Sequence, residues 1–384
     1  MKISRILFVY LLCMTAVILL ASCGSGGSSV DGQGTLSTSL TDSSSEDYKA
    51  VYVTIDRVDV NLEDNDSWET VATPGGTYNL LELVNGVVEN LGEVVLDSGH
   101  YTQMRLIIGE TPDQSLNIFD QQHDYANYII DQDDVAHELT VPSGSQTGLK
   151  IVNGFDINDN QKTELILDFD ALRSVVKAGS SGKYLLKPTI KVLTTNDYAI
   201  VGGTITSAGS DLEKVFVTAQ TAAPLAADIK YQVILQSGTL STETGEYALF
   251  LEPGDYNLLA SRTGYLPVCT TVSLGEDSLN TVDFSLPFLE ETTPSGTLSG
   301  QVSIANPDDD QHVTIEFRQS TECSGDIQMV IVKTVEIADD GQYSVDLAPG
   351  VDYQVVATTY GEETFTVEEV TVASGKTTVL DIIF

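Results

Sequence analysis

The chain has 384 residues, 42% of them hydrophobic, with 18 Lys and Arg against 56 Asp and Glu and a net charge of −38. That length exceeds one typical core and fits roughly two to four domains, and the apolar content excludes wholesale disorder. So acidic a surface repels phosphate backbones, which excludes nucleic acid as a partner; it keeps the chain soluble and attracts cations such as Ca²⁺.

Lys2 and Arg5 precede the apolar run ILFVYLLCMTAVILLA, and LASC follows at Leu20–Cys23. A charged start, an apolar stretch and small residues before a cut site make residues 1–22 a secretory signal, and the run is short for a membrane span. LASC resembles the bacterial lipobox. The resemblance implies cleavage before Cys23 and lipid, palmitate included, on Cys23. The membrane then becomes a partner through the anchor. Residues 23–34, opening CGSGGSS, read as a flexible tether. No Asp follows Cys23, which by resemblance to Gram-negative lipoproteins favours the outer membrane. Whether the body is periplasmic or surface-facing stays open. Cys13 leaves with the signal. Cys269 and Cys323 fall in different modules, and two thiols so far apart in sequence are expected to be free or buried, although a disulfide is allowed outside the cytoplasm. His100, His123, His137 and His312 show no zinc spacing.

Strand signals dominate from there. Val51, Val53 and Ile55 alternate with polar residues, as do Val58, Val60 and Leu62, and the slip in phase predicts a β-bulge near Asp56–Arg57. Trp68, the single tryptophan, reads as core. Residues Asn79–Val88 and Ala171–Gly179 fit a turn or two of helix. Met104, Leu106 and Ile108 alternate, as do Leu149, Ile151, Phe155 and Ile157, and then Leu165, Leu167 and Phe169.

Asp168 and Asp170 flank Phe169 and point away from that last apolar face. Pairing the strand with Leu149–Ile157 across the turn at Asn158–Gln161 sets Lys150 opposite Asp170 or Asp168, depending on loop length. On this reading Lys150, Asp168 and Asp170 form the polar face of a hairpin. As a catalytic pair the two acids fit poorly, because same-strand neighbours stand side by side and cannot flank a bond. The turn itself places Asp156, Asn158 and Asn160 at the first, third and fifth positions of an EF-hand-like loop. Gln161 and Leu167 then stand where Gly and Glu are required. A looser Ca²⁺ site of Asp156, Asn158, Asn160 and Glu164 remains an alternative to a plain Asx-rich turn. The acidic stretches Asp131–Asp134 and Pro307–Gln311 read as solvated loops. No G-x-S-x-G is present, and Pro142–Gly148 is a turn-like stretch.

The C-terminal half repeats itself. TGEYALFLEPGDY ends at Tyr256 and DGQYSVDLAPGVDY at Tyr353; VGGTITS starts at Val201 and LSGQVSI at Leu298. This is a domain duplication with an acidic linker at Phe288–Gly296. The G-x-Y and P-G-x-Y patterns resemble the carboxypeptidase regulatory-like domains, a transthyretin-like family of β-sandwiches classed with carbohydrate-binding-like folds. Val351 is an insertion relative to that pattern. The earlier stretches GTLSTSLTD, YKAVYVTIDRVDV, YNLLELVNG, SGHYTQMRL, VPSGSQTGLKI, LILDFDALRS and YLLKPTIKV resemble, in order, the bacterial family known as domain of unknown function 4382. That resemblance implies a secreted or lipid-anchored protein with a β-rich body, and no activity.

The expectation is therefore an all-β chain of three tandem β-rich modules, Ig-like or transthyretin-like, behind a lipoprotein signal. The boundaries fall at 35–195, 198–288 and 295–384. The TTVLDIIF end reads as a closing strand. The function expected is a non-enzymatic envelope lipoprotein acting as a binding or structural module, with a glycan or an envelope protein as possible partner. A carbohydrate-binding accessory protein and an acid-dependent hydrolase are the alternatives. No cofactor is expected beyond the Ca²⁺ of the alternative above.

Overall fold

The computed structural model describes residues 32–384 except 44, 46, 66, 143–147, 152–153, 179–181, 195–197, 277, 290–293, 306–310 and 360–363. The signal at 1–22, Cys23, the tether up to residue 31 and most of Pro307–Gln311 and Pro142–Gly148 lie outside the described residues. The described chain is all β apart from one-turn helices, as the alternating patterns require.

Three main hydrophobic cores follow one another, over residues 36–192, 199–286 and 298–382. The first lies between two layers. One is a four-stranded sheet in the order Ile190–Thr194, Lys162–Asp170, Gln33–Ser43 and Glu89–Asp97. It contributes Leu36, Leu40, Leu165, Leu167 and Phe169. The facing layer is built on Ala50–Leu62, paired with Trp68–Ala72, Gly76–Asn79, Gly99–Ile108 and Tyr128–Ile130. In the pairing of Ala50–Leu62 with Gly99–Ile108 the register jumps from Ile55 to Arg57, so Asp56 is the extra residue and both halves of the strand keep their apolar side on the core.

Trp68 differs from its expectation. It stands half-buried, with the Arg105 guanidinium 4.4 Å from its ring centroid, a cation–π contact rather than a core position. The helical expectations shrink to Leu80–Glu82, a 3₁₀ turn, and Ala171–Ser174, an α turn that gives way to a strand at Val175–Ala178. β-branched Val175 and Val176 favour that exit.

The two repeats share one inner construction. Ala199–Ser207 pairs antiparallel with Glu246–Leu251 and parallel with Leu279–Thr281 and Phe284–Ser285. Gly296–Ser303 does the same with Gln342–Leu347, Thr377–Val379 and Ile382–Ile383. The shared glycine of VGGTITS and LSGQVSI now has a cause. A Cβ on Gly203 would stand 2.0 Å from the Val282 carbonyl oxygen, and one on Gly300 would stand 1.8 Å from that of Leu380. The G-x-Y tyrosines clamp the same crossing. Tyr247 donates to the Val282 carbonyl at 2.7 Å and Tyr343 to that of Leu380 at 2.6 Å.

The three bodies pack together. Cys269 and Cys323 form a disulfide between the second and third, correcting the expectation of two free thiols. Val268–Leu274 and His312–Cys323 meet side by side in register at these two residues, a meeting that requires the bodies to dock. Arg318, fully buried in the third body, donates to the carbonyls of Ile229, Lys230 and Val233 in the second. Gln220 of the second accepts from the Ile331 N–H and donates to the Ile331 carbonyl in the third. An apolar patch of Leu172, Phe216, Val233, Leu235 and Ile331 joins all three.

Candidate functional site

The strand Lys162–Asp170 is central in its sheet. It runs parallel to Gln33–Ser43, with Thr41 opposite Asp168 and Ser43 opposite Asp170, and antiparallel to Ile190–Thr194, with Lys191 opposite Asp168. The expected hairpin is absent. Phe155–Ile157 pairs instead with Gly99–Ile108, and Leu149–Ile151 joins the same strand, setting Lys150 opposite Arg105. Lys150 is therefore no partner in register to either aspartate. The reason is topological: consecutive strands here go to opposite layers of the sandwich, so a short turn does not make a hairpin.

Asp168 and Asp170 do point away from the core of the first body, as their alternation requires. That side is not solvent. Asp168 is 5% exposed and Asp170 9%, because the second and third bodies cover them. Ser43 donates to Asp168 at 3.1 Å and shares a 2.9 Å hydrogen bond with Ser237 of the second body. Asp170 caps the turn Ala171–Ser174 by accepting from the Arg173 N–H at 3.0 Å, and pairs with the Arg173 side chain at 3.3 Å. Arg173 also donates to the Leu235 carbonyl of the second body. Asp42 accepts from the Ala171 N–H at 2.9 Å through one oxygen, and its other oxygen is buried without a hydrogen bond.

The third body adds two acids to this junction. Glu336 is buried, accepts from Thr314 at 3.0 Å and lies 3.9 Å from His312. Glu316 is partly covered and held by Arg318. Burial dominates the electrostatics. It pushes Asp42 and Asp170 upward, Asp168 up to about 7 and Glu336 up to about 8; the Asp170 charge adds to the rise at Asp168. Asp59 makes the contrast. Its side chain is covered too, but it loses less of its solvation than Asp168 or Asp170, and hydrogen bonds from Thr70, Arg57 and Arg105 together outweigh that loss and hold it below the usual carboxylate range.

An acid balanced near neutrality can exchange a proton. Beside Asp42 and Asp168 the open space is about 10 Å³, lined also by Ser237, Asn85 and Phe250. That is room for about one water and not for a substrate. A larger cleft of about 720 Å³ opens nearby between the first and third bodies, with Glu336, Lys177, Lys333, Gln301 and Asp381 on its walls. Its tyrosines turn inward: Tyr48 meets Tyr184 edge-on and Tyr343 sits in the third core.

The candidate Ca²⁺ residues are placed as follows. Asp156 bonds His100 at 2.8 Å, and Glu164 pairs with Lys162 at 2.9 Å. Asn158 and Asn160 are exposed in the turn, with Asn160 in the left-handed region at φ 55°. Among the described residues no three His, Cys, Asp or Glu side chains are grouped to hold a metal. Asp42, Glu316, Glu336 and Arg173 were not legible as a group, since they lie far apart in sequence and meet only on docking.

No curated protein matches the chain. Among solved structures it is similar to the TIE protein of Bacillus anthracis at 12% identity, over 92% of this chain and 51% of that one, with a TM-score of 0.20. It is likewise similar to a streptococcal ancillary pilin at 13% identity, over 91% and 98%, with a TM-score of 0.21. For a shaft pilin, SpaA of Lactobacillus rhamnosus GG, the values are 11%, 48%, 96% and 0.20. The chain spans about half the length of the Bacillus anthracis protein. At such TM-scores these likenesses carry no argument about function. The first body is different: residues 33–188 match the family described as Domain of unknown function (DUF4382).

Proposed function

We propose that the chain is a non-enzymatic lipoprotein of the cell envelope. Lipid on Cys23 anchors it in the outer membrane, and its three β bodies act as one stiff binding or structural unit. The Cys269–Cys323 disulfide carries the reading. Disulfides form and persist in oxidising compartments, where a secretory signal sends a chain, and this one ties two bodies together rather than closing a loop within one. Arg318 and Gln220 act in the same sense, since each spends its polar atoms on the neighbouring body.

The anchor is tested by radiolabelled palmitate and membrane fractionation of wild type and Cys23→Ser. Label and membrane association should both be lost in the variant; a Cys23→Ser chain that keeps either one sinks the anchor. Protease added to intact cells assigns the face, with full protection confining the body to the periplasm.

A further inference from the structure

The junction of the three bodies gathers five acids. Asp42, Asp168 and Asp170 come from the first body and Glu316 and Glu336 from the third. The helical turn Ala171–Ser174 packs on Asp326–Ala338, the strand that carries Glu336, and Gln33–Ser43 packs on Val233–Leu240 of the second body. The facing cations are engaged mostly with other groups. Arg173 serves Asp170 and Arg318 serves Glu316. Lys191, in register with Asp168, pairs at 3.7 Å with Glu252. His312 lies 3.9 Å from Glu336 and 3.2 Å from Lys187. Lys177 and Lys333 line the cleft that Glu336 also lines, Lys333 pairing with Asp47 at 3.2 Å, and the hydroxyl neighbours Ser43, Ser237 and Thr314 are neutral. Asp168 and Glu336 thus sit on opposite sides of the seam, and each takes its hydrogen bond from a hydroxyl.

We propose that this junction is a proton-dependent latch: with Asp168 and Glu336 protonated the first body docks on the other two, and loss of those protons loosens the seam. The sign follows from linkage. When exposed, both acids ionise near pH 4, whereas in the docked state burial holds their protons up to about 7 and about 8. The docked state therefore binds more protons across that window. Its advantage is full below about pH 4 and is lost as the pH rises to about 8. Above that, two more negative charges stand beside Asp170 and Glu316 in a poorly solvated seam.

The purified full-length protein in detergent is melted at pH 6, 7.5 and 9, alongside Asp168→Asn, Glu336→Gln and the exposed control Glu243→Gln. The amides keep the shape and hydrogen bonding of the protonated acids. Wild type and the control should lose about 5 °C or more of Tm between pH 6 and 9; Glu336→Gln should keep about one-third of that loss and Asp168→Asn about two-thirds. Small-angle scattering should show a larger maximum dimension for wild type at pH 9 and no change in the double variant. Either variant, if the other fails to fold, decides the matter. A variant with the wild-type pH slope overturns the latch. So does recovery of the wild-type Tm at pH 9 by 1 mM Ca²⁺, which would show that a cation balances the acids in place of protons.

Discussion

The second and third bodies are two solutions to one plan, alike inside and unlike at the seam where they meet. Inside, Gly203 and Gly300 lie under a crossing carbonyl, and Tyr247 and Tyr343 donate to that same carbonyl. At the seam, Gln220 and Arg318 hold matching positions. Each follows a register shift in its own hairpin, and each is opposite an amide side chain, Asn257 for Gln220 and Gln354 for Arg318. Gln220 reaches out to the backbone of the third body and Arg318 to that of the second. Alternation explains why both reach outward: Ala219 and Phe317 face their own cores, so the next residue faces the neighbouring body, while the extra residue of each shift lies on the partner strand. Duplication kept the register shift and changed the chemistry placed opposite it. A neutral amide satisfies one N–H and one carbonyl. A guanidinium satisfies three carbonyls and also needs a counter-charge, which Glu316 supplies. Neither seam is fully satisfied, because the Asn257 amide nitrogen and the Gln354 amide oxygen are buried without hydrogen bonds.

The comparison breaks most sharply at Arg318. Arg318→Ala strands Glu316 without its cation and three carbonyls without their donor, at a cost of about 3–5 kcal/mol. Urea unfolding should show the midpoint fall, or the transition split in two as the third body separates. Arg318→Met, which keeps the volume, should cost less when Glu316→Gln accompanies it. Removing the disulfide comes next. A separation of 54 residues places Cys269→Ser with Cys323→Ser at about 2–4 kcal/mol. Since the bridge joins two bodies, part of that loss should appear as a separate low-temperature transition. A single unshifted melt in the double variant would mean that Arg318 and Gln220 suffice to hold the seam. Gly203→Ala and Gly300→Ala test the shared interior. Each forces a methyl against a backbone carbonyl, which cannot swing aside, at about 1–3 kcal/mol. Equal costs in the two repeats are expected.

What was readable in the sequence divides along the same line. The repeat, its Gly and Tyr and the bulge at Asp56 report on contacts within one body, so short patterns carry them. Alternation placed Asp168 and Asp170 on the side away from Leu165, Leu167 and Phe169 correctly, but alternation has no term for what covers that side. Lys150 was misplaced because a turn of Asn and Asp residues looks the same whether the chain folds back in one sheet or crosses to the other. The Cys269–Cys323 pairing needed the docking geometry of two bodies, which spacing does not encode. Arg318 left no mark at all, being one basic residue in a strand that otherwise alternates normally. The candidate site was visible only as two of its five acids.

The finest test of the shared plan is the tyrosine pair. Burial raises both hydroxyls above the ordinary tyrosine range, so each remains a donor at neutral pH. Tyr247→Phe and Tyr343→Phe delete only the oxygen, and the ring packing stays. Each leaves one crossing carbonyl, that of Val282 or of Leu380, without its side-chain donor. The expected loss is about 1 kcal/mol at either site, read from the shift in urea midpoint. If the crossing is held the same way in both repeats, the two losses agree within about 0.5 kcal/mol. A loss confined to Tyr343 would mean that the second body has found other support for its crossing.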